Sequence, residues 1–292
     1  MTSATGAQAR DVGQGRLMPP VVSVLGRTEA LRFLQHPLYR LGAAACVLVV
    51  GLGIATGDGF GPDPLVVTML SSFFLGVFGF AVAHRLTTSL HRTTELVTTA
   101  PVGRRTRTIA LLLACGVPAA TSVGWLALFS VYTLVEPPAG ETTDASVAWF
   151  GDERAIDILA VLVAGGPLAA LGGALLGVAV ARWAAFRGSL LVGVVVLVLG
   201  TLSLSADSVP TRVKAMSPAV IFGDETVVDG TIVSARLIDG ISPIGYCVYV
   251  ACLCGLAAVA ALLRDGSNVA ALVKIGALIG AAAAAALALA TW

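Results

Sequence analysis

Three histidines and one nearby glutamate are the residues whose types could bind a metal ion or move a proton. His84 and His91 are seven residues apart and can share one helix face, with Glu95 one turn further on. A zinc ion is surrounded by its ligands, and a single exposed helix without a second element offers them from one side only. We therefore interpret these residues as surface residues without a metal. His36 has no candidate partner nearby.

Motifs of covalent catalysis and of nucleotide binding are missing from the sequence. No nucleophile elbow or acid completes a serine–histidine triad. No GxxxxGK[ST] loop occurs, and neither lysine lies in a glycine-rich phosphate loop. The five cysteines all lie in apolar runs, so they predict neither a disulfide framework nor a thiolate site. The sequence therefore predicts no catalytic residue, no cofactor and no ATP site, and ATP-driven work would need another polypeptide.

The elements that carry these residues are long and apolar. Of 292 residues, 57% are hydrophobic and 12% are charged, with a mean hydropathy of +0.92. In hydrocarbon, backbone polar groups must pair within their own segment, so such runs form helices. We predict an all-α, polytopic membrane bundle with six core transmembrane helices and an additional C-terminal one. The runs long enough to cross a core of about 30 Å are 41–56, 65–83, 109–135, 155–181, 188–206, 244–263 and 269–292.

The charged residues between these runs are sorted by sign. With a cytoplasmic N-terminus, 14 of 18 basic residues lie in cytoplasmic segments and 13 of 17 acidic residues lie outside. This is the bias of the positive-inside rule, and the opposite orientation reverses both counts. Arginine outnumbers lysine by 16 to 2, which is typical of a GC-rich bacterial genome. We therefore predict a multi-pass protein of a bacterial plasma (inner) membrane, with its N-terminus in the cytoplasm.

Ionisable residues are missing from the middle of the runs. Asp157 lies near the outer end of the fourth run and Lys274 near the inner end of the seventh. A charge at membrane depth costs about 2.5–3.5 kcal/mol on the insertion scale and marks a functional path. The pattern argues against an intramembrane enzyme and against a carrier coupled through buried carboxylates.

The segment 23–39 has the pattern of a helix that lies in the membrane interface. Apolar residues fall within helical reach of one another, and charged residues populate the other side. Pro37 then separates this helix from the first span, while residues 1–22 are expected to form a disordered cytoplasmic tail. An ordinary juxtamembrane anchor is the alternative interpretation. The apolar residues are Leu25, Leu31, Leu34 and Leu38, and the polar ones are Arg27, Glu29, Arg32 and Gln35.

The connection between the second and third runs predicts a short amphipathic cytoplasmic helix over about residues 86–101. It combines a narrow apolar stripe, an ion pair at a spacing of three and a terminating proline. Such a helix is suited to docking a soluble partner, and a solvated loop with positive-inside arginines is the alternative. The stripe is Leu86, Leu90 and Val97, the pair is Arg92 and Glu95, and the proline is Pro101.

Two segments together resemble a known family. TEALRFLQHPL before the first run, with TTELVTTAPVGRRTRTIA leading into the third, resembles the permease subunit of ATP-binding-cassette type-2 exporters of drugs, antibiotics and polysaccharides. By architecture the resemblance covers roughly residues 25–263, and its motif spans only Thr94–Ala110. It implies a six-span domain over 40–263, an elbow helix, and a coupling helix that touches a separate ATPase. Arg92, Glu95, Leu96 and Pro101 would belong to the coupling helix, and Glu29, Arg32, His36 and Pro37 to the elbow.

Glycines and prolines in the third and fourth runs predict bends and close packing. Gly173 and Gly177 form a small-xxx-small pair, which lets helix backbones approach closely. Pro167 and Pro118 can hinge their runs, and a gating role competes here with simple packing. The external segment 207–243 is expected to form either short helices, as the resemblance implies, or a small hairpin.

The function predicted from these patterns is that of the membrane-spanning subunit of an ATP-driven exporter. Its expected partners are an ATPase subunit, a second permease copy or homologous permease, and the lipid bilayer, with no nucleic acid. Scattered hydroxyls in an apolar interior suit an amphipathic, drug- or lipid-like cargo. The alternatives are a membrane anchor or assembly subunit that transports nothing, and a secondary carrier. The hydroxyls are Ser71, Ser72, Thr121, Ser122, Ser130, Thr201 and Ser203.

Overall fold

The chain folds into a bundle of apolar helices with one small hairpin. A computed structural model describes residues 19–56, 64–92, 103–135, 154–184, 186, 188–204, 209–217, 224–228, 231–236, 241–266 and 268–291. The first helices are α1 (Pro19–Gln35), α2 (Pro37–Thr56), α3 (Pro64–Arg92), α4 (Arg104–Ala114) and α5 (Gly116–Val135). They are followed by α6 (Ala155–Val163), a π-helix (Ala164–Leu168), α7 (Ala169–Trp183), α8 (Ser189–Leu204) and the short α9 (Thr211–Lys214). Strands β1 (Asp224–Val228) and β2 (Thr231–Arg236) precede α10 (Pro243–Leu263) and α11 (Val269–Thr291).

The predicted helical membrane bundle is confirmed in its coarse form. Among the described residues, four helical stretches are long and apolar enough to cross a membrane, or five if the bent pair α1–α2 counts as one. The six or seven spans predicted from sequence exceed this number. α8 has 16 residues and is therefore about 24 Å long, shorter than a hydrocarbon core of about 30 Å. The four stretches are Arg104–Leu128, Ala155–Trp183, Pro243–Leu263 and Val269–Thr291.

The described part of segment 207–243 contains the short helix α9 and a β-hairpin, so both forms that the sequence left open are present. β1 pairs with β2 in antiparallel register, with Asp224 opposite Arg236 and an irregularity between Thr226 and Val227. Nearer to α10, the turn after α9 is held by two tyrosines. The Tyr246 hydroxyl donates to the Ser217 carbonyl at 2.8 Å, and the Tyr249 hydroxyl donates to the Met216 carbonyl at 2.9 Å.

Prolines cause both interruptions in the long helical stretches. Pro118 has no N–H to donate to the Ala114 carbonyl, and the helix breaks at Cys115 between α4 and α5. Pro167 lies inside the π-helix, where the extra residue per turn absorbs the missing hydrogen bond. Both prolines are buried, so the bends are part of the packed interior.

Helix α3 lies at the centre of the bundle and contacts α2, α5, α7 and α8. Its closest partner is α7, which crosses it at two glycines. A Cβ atom on Gly173 would lie 2.5 Å from the Gly76 carbonyl oxygen, and one on Gly177 would lie 2.3 Å from the Phe80 carbonyl oxygen. The two backbones therefore touch directly, as small residues at a spacing of four allow.

Helices α10 and α11 form a hairpin at the edge of the bundle. Gly266 (φ 75°) and Asn268 (φ 55°) both adopt the left-handed conformation that ends α10 and redirects the chain. Gly245 lies against α11, where an added Cβ would approach Ala290 to 3.1 Å. The sharp turn leaves Asp265 directly behind the last turn of α10, facing α7.

Candidate functional site

One end of the bundle collects the arginines that terminate several helices, and we call it the basic end. Arg85 lies near the end of α3, Arg104 opens α4, Arg182 lies near the end of α7 and Arg264 follows α10. Helix α4 contacts α1, α5, α7 and α10. The connection that follows α3 along the chain, residues 93–103, therefore leads into a helix with four neighbours.

Arg182 joins three of these helices through one side chain. It is only 7% exposed. Its Nη1 donates to Oδ1 of Asp265 in the α10–α11 turn, and its Nη2 donates to Oγ1 of Thr108 in α4. Thr108 is fully buried and donates in turn to the Arg104 carbonyl at 3.1 Å. We call Arg182, Asp265 and Thr108 the Arg182 junction.

The ion pair within the Arg182 junction is buried, and one polar atom on each partner has no hydrogen bond. The side chains of Arg182 and Asp265 are 6% and 1% exposed, and Arg182 Nε and Asp265 Oδ2 have no hydrogen-bond partner. Desolvation offsets much of the attraction within such a pair, so its net stabilisation is small. Its geometry, however, is enforced, because either charge alone would be buried without compensation.

Arg182 is one of the 14 basic residues that the sequence assigns to cytoplasmic segments, and its local pattern did not predict the junction. A signal was present in the charge pattern, since Asp265 is one of only four acids on the otherwise basic side. Two of these acids, Glu29 and Asp265, have described side chains, and both are buried. In both cases an acid that violates the sorting of charges by sign has a buried carboxylate paired with an arginine.

His84 is also buried, so its interpretation as a surface residue is wrong. The residue is 5% exposed. Its Nε2 lies 2.9 Å from Ser189 Oγ at the start of α8, and the Phe80 ring stacks on it with 6.2 Å between the ring centres. This contact fixes the first turn of α8 against α3. The side chains of His91 and Glu95 lie outside the described residues.

The predicted elbow is a helix that bends sharply into α2. α1 begins at Pro19, four residues inside the predicted tail, and the axes of α1 and α2 differ by 58° across His36. Pro37 opens α2, and His36 Nδ1 accepts a hydrogen bond from the Leu38 N–H at 3.3 Å. Burial and the charge of Arg85 lower the pKa of His36, which favours the neutral ring that can accept this bond.

The face of α1 that packs on the bundle is not the apolar stripe that was predicted to lie in the membrane interface. Leu31 and Leu34 are 49% and 43% exposed, whereas Glu29 is 6% exposed. α1 packs on α4 because Gly26, one turn before Glu29, admits the Leu113 side chain at 3.3 Å from its would-be Cβ. Glu29 Oε1 accepts from Arg32 Nη1 at 3.1 Å, and its Oε2 has no partner.

The start of α2 is fastened to α5 through Tyr39. Its hydroxyl donates to Thr121 Oγ1 at 2.7 Å, and its ring meets Phe33 edge-on at 5.2 Å. Both rings are buried. The elbow is therefore attached to the bundle on both sides of its bend, to α4 through α1 and to α5 through α2.

The residues predicted for the coupling helix are only partly described. Residues 86–92 are the last two turns of α3 and not the start of a separate helix, which corrects the predicted boundary. Arg92 ends α3, and its side chain is outside the described residues. Glu95, Leu96 and Pro101 also lie outside them. Leu86 packs against the core and Thr87 is 1% exposed, so the packed interior extends past the boundary that was expected for α3.

A cavity of about 400 Å³ lies between α3, α7, α8 and α10. None of its lining residues is charged, and its polar groups are two hydroxyls and one thiol. Cys254 Sγ donates to the Leu168 carbonyl at the end of the π-helix, at 3.3 Å, so the proline bend borders the cavity. The lining residues are Ser72, Phe73, Gly76, Val77, Leu168, Ala169, Gly172, Gly173, Leu176, Ala179, Leu197, Thr201, Val250, Leu253, Cys254, Leu256, Ala257 and Ala260.

The arrangement is suited to binding an apolar group and to transmitting movement. The cavity resembles small-molecule sites in size and apolar lining. Two of its walls, α7 and α10, end at the Arg182 junction, where α4 is attached. At the opposite end of the bundle Asp157, in the first turn of α6, accepts from Arg154 Nε at 2.8 Å, and this pair lies away from the cavity.

Comparison with known proteins adds no identification: the chain matches no protein-family model, no curated protein and no solved structure.

Proposed function

We propose that the protein is the membrane-spanning permease subunit of an ATP-driven exporter in a bacterial plasma membrane. Its N-terminus is cytoplasmic, and the basic end of the bundle faces the cytosol. Six core helices and a C-terminal seventh cross the membrane, with α1 in the interface. A separate ATPase subunit supplies the energy, and a second copy or a homologous permease completes the complex. The cargo is amphipathic and drug- or lipid-like.

The observation that carries this proposal is the position of α4 in the bundle. The chain enters α4 directly from residues 93–103, the segment with the coupling pattern. Thr108, in the second turn of α4, is bonded to Arg182 at the end of α7, which also holds Asp265 behind α10. A displacement of the segment before α4 would therefore be transmitted to α7 and α10, two walls of the cavity, through side-chain hydrogen bonds and not through loops.

ATP binding would act on this connection as a ligand acts on a two-state element. Closure of the ATPase pair pushes on the segment before α4, and the bundle shifts between inward- and outward-facing arrangements. The Arg182 junction fits this role, since its ion pair and its hydrogen bond to Thr108 together couple three helices in one discrete geometry. The bend at Pro167 would let the outer half of the fourth span move differently from the inner half.

Thr108→Val tests the proposed transmission. The change removes the acceptor of Arg182 Nη2 while the ion pair to Asp265 remains, so the protein is expected to fold with a loss of about 1–3 kcal/mol. We expect ATP-dependent uptake of a fluorescent amphiphile into inverted vesicles to fall at least severalfold. The measurement requires co-expression with the proposed ATPase subunit, for which a neighbouring gene that encodes a phosphate-binding loop is the candidate.

Thr88→Val is the matched control, because Thr88 bonds only carbonyls of its own helix. Uptake that is unchanged by Thr108→Val would contradict transmission through the Arg182 junction. Absence of any ATP-dependent flux from a folded complex would favour the anchor subunit. Flux that persists without the ATPase and collapses with an ionophore would favour the secondary carrier.

The proposed orientation predicts which end is reachable from each side of the membrane. In a variant without its native cysteines, Arg104→Cys should react with a membrane-impermeant maleimide in inverted vesicles but not in intact cells. Arg212→Cys, an exposed position in α9 at the opposite end, should show the reverse. Labelling of position 104 from outside intact cells would overturn the orientation and the mechanism built on it.

A further inference from the structure

We propose that the cavity and the exposed Arg264 form one binding site for an anionic phospholipid of the bilayer. One acyl chain occupies the cavity, and the phosphate of the headgroup lies at the Arg264 guanidinium. The inference rests on the membrane-spanning part of the proposed function and not on ATP-driven transport.

The dimensions of the cavity fit an acyl chain. Along α10 it extends from Val250 to Ala260, ten residues or about 15 Å of helix. This is half of a hydrocarbon core of about 30 Å and hence the depth of one leaflet. Leu176 in its wall is 38% exposed, so the cavity opens sideways to the surroundings of the bundle, where the lipid chains lie.

The end of the cavity nearest the basic end carries groups that suit a headgroup. The Ala260 carbonyl accepts a hydrogen bond from Trp183 Nε1 at 2.8 Å, and Trp183 is 58% exposed. Tryptophan favours this level of the membrane, where its ring is in apolar contact and its N–H is satisfied. Arg264, one helical turn beyond Ala260, lies with its guanidinium carbon 5.7 Å from the centre of the Trp183 ring.

Arg264 cannot pair with the acid next to it in the chain, because that acid belongs to the Arg182 junction. Asp265, its neighbour in the chain, is bound by Arg182 and is inaccessible. Among the described residues Arg264 has no ion pair, and it is exposed. An uncompensated arginine at the headgroup level favours an anionic lipid over a zwitterionic one by about fivefold in binding.

Photo-crosslinking in nanodiscs tests the proposal with the full-length protein alone. The discs are made of phosphatidylcholine and contain a small fraction of one of two probes. One probe is phosphatidylglycerol and the other is phosphatidylcholine, and each carries a diazirine in its acyl chain. We expect cross-links on the α7 and α10 walls of the cavity, with about fivefold more from the phosphatidylglycerol probe. Arg264→Gln should remove this preference, whereas Arg40→Gln, an exposed arginine at the same end, should leave it intact.

Equal labelling by the two probes, or a preference that survives Arg264→Gln, would overturn the inference. So would cross-links confined to other helices. Loss of labelling in excess inorganic phosphate would assign Arg264 to a free anion and not to a lipid. Because the assay contains neither ATP nor ATPase, its failure leaves the exporter proposal standing, and lipid binding without ATP-dependent flux would sink only the exporter proposal.

Discussion

Arg182→Leu is expected to lower the free energy of unfolding by about 3–5 kcal/mol, the usual effect of removing one partner of a buried ion pair. The change leaves the Asp265 carboxylate buried and uncompensated, and it leaves Thr108 Oγ1 without its donor. For a protein of this size the loss corresponds to a fall of roughly 10 °C in the unfolding midpoint. Asp265→Leu should have a similar effect, because it leaves the Arg182 guanidinium buried without its carboxylate.

The double variant separates a charge effect from a packing effect. With Arg182→Leu and Asp265→Leu together no charge is left unpaired, and apolar replacement of a buried pair is close to neutral in stability. We therefore expect the unfolding temperature of the double variant to return most of the way to that of the wild type. Transport should not recover, since the hydrogen bond to Thr108 stays broken. Equal destabilisation by the single and double variants would contradict this account.

The unfolding midpoint can be measured in detergent with a fluorogenic maleimide. Cys46, Cys115 and Cys254 are free and buried, so they react when the bundle opens. Lys274→Gln, at an exposed position in α11, is the control for loss of a cation without loss of a pair, and its midpoint should stay close to that of the wild type.

Gly177→Ala is expected to destabilise the bundle by about 3 kcal/mol, although alanine is the better helix former by about 1 kcal/mol. The new Cβ would lie 2.3 Å from the Phe80 carbonyl oxygen and 2.9 Å from the Phe80 Cα. Backbone atoms cannot rotate away as a side chain can, so α3 and α7 must separate. That separation would also widen the cavity, which both helices line.

Gly280→Ala is the matched control, because nothing lies within 4 Å of a Cβ at that position of α11. It should leave the midpoint unchanged or raise it by the difference in helix propensity. The same maleimide assay applies, and Gly177→Val should be worse than Gly177→Ala. A Gly177→Ala variant as stable as the wild type would show that the two backbones do not meet at this crossing.

The elbow shows how far sequence patterns reach in a membrane protein. The break at His36 and Pro37 could be predicted, since proline restricts the residue before it. The side of α1 that packs on the bundle could not be predicted: the leucines of its apolar stripe, Leu31 and Leu34, are exposed, whereas Glu29 is buried. A helix beside lipid presents apolar residues to its surroundings as well as to its neighbours, so an apolar stripe does not identify the packed face.

The junction and the cavity depend on residues that are far apart in the chain. Arg182 and Asp265 are separated by 83 positions, and His84 and Ser189 by 105. Arg182 and His84 were assigned from their local segments, Arg182 as one of the cytoplasmic basic residues and His84 as a surface residue. Burial and partner were properties of the assembled bundle.

The sequence by itself determined the helical membrane character of the chain and the sorting of charges between its ends. It could do so because hydrocarbon forces each apolar run to pair its own backbone, a constraint that acts within one segment. Tertiary structure alone decided which faces pack, which charges are buried together and where the cavity opens. Helix α8 is mostly apolar, yet half of its residues are exposed. Lipid makes that surface as favourable as a core, so composition cannot distinguish the two.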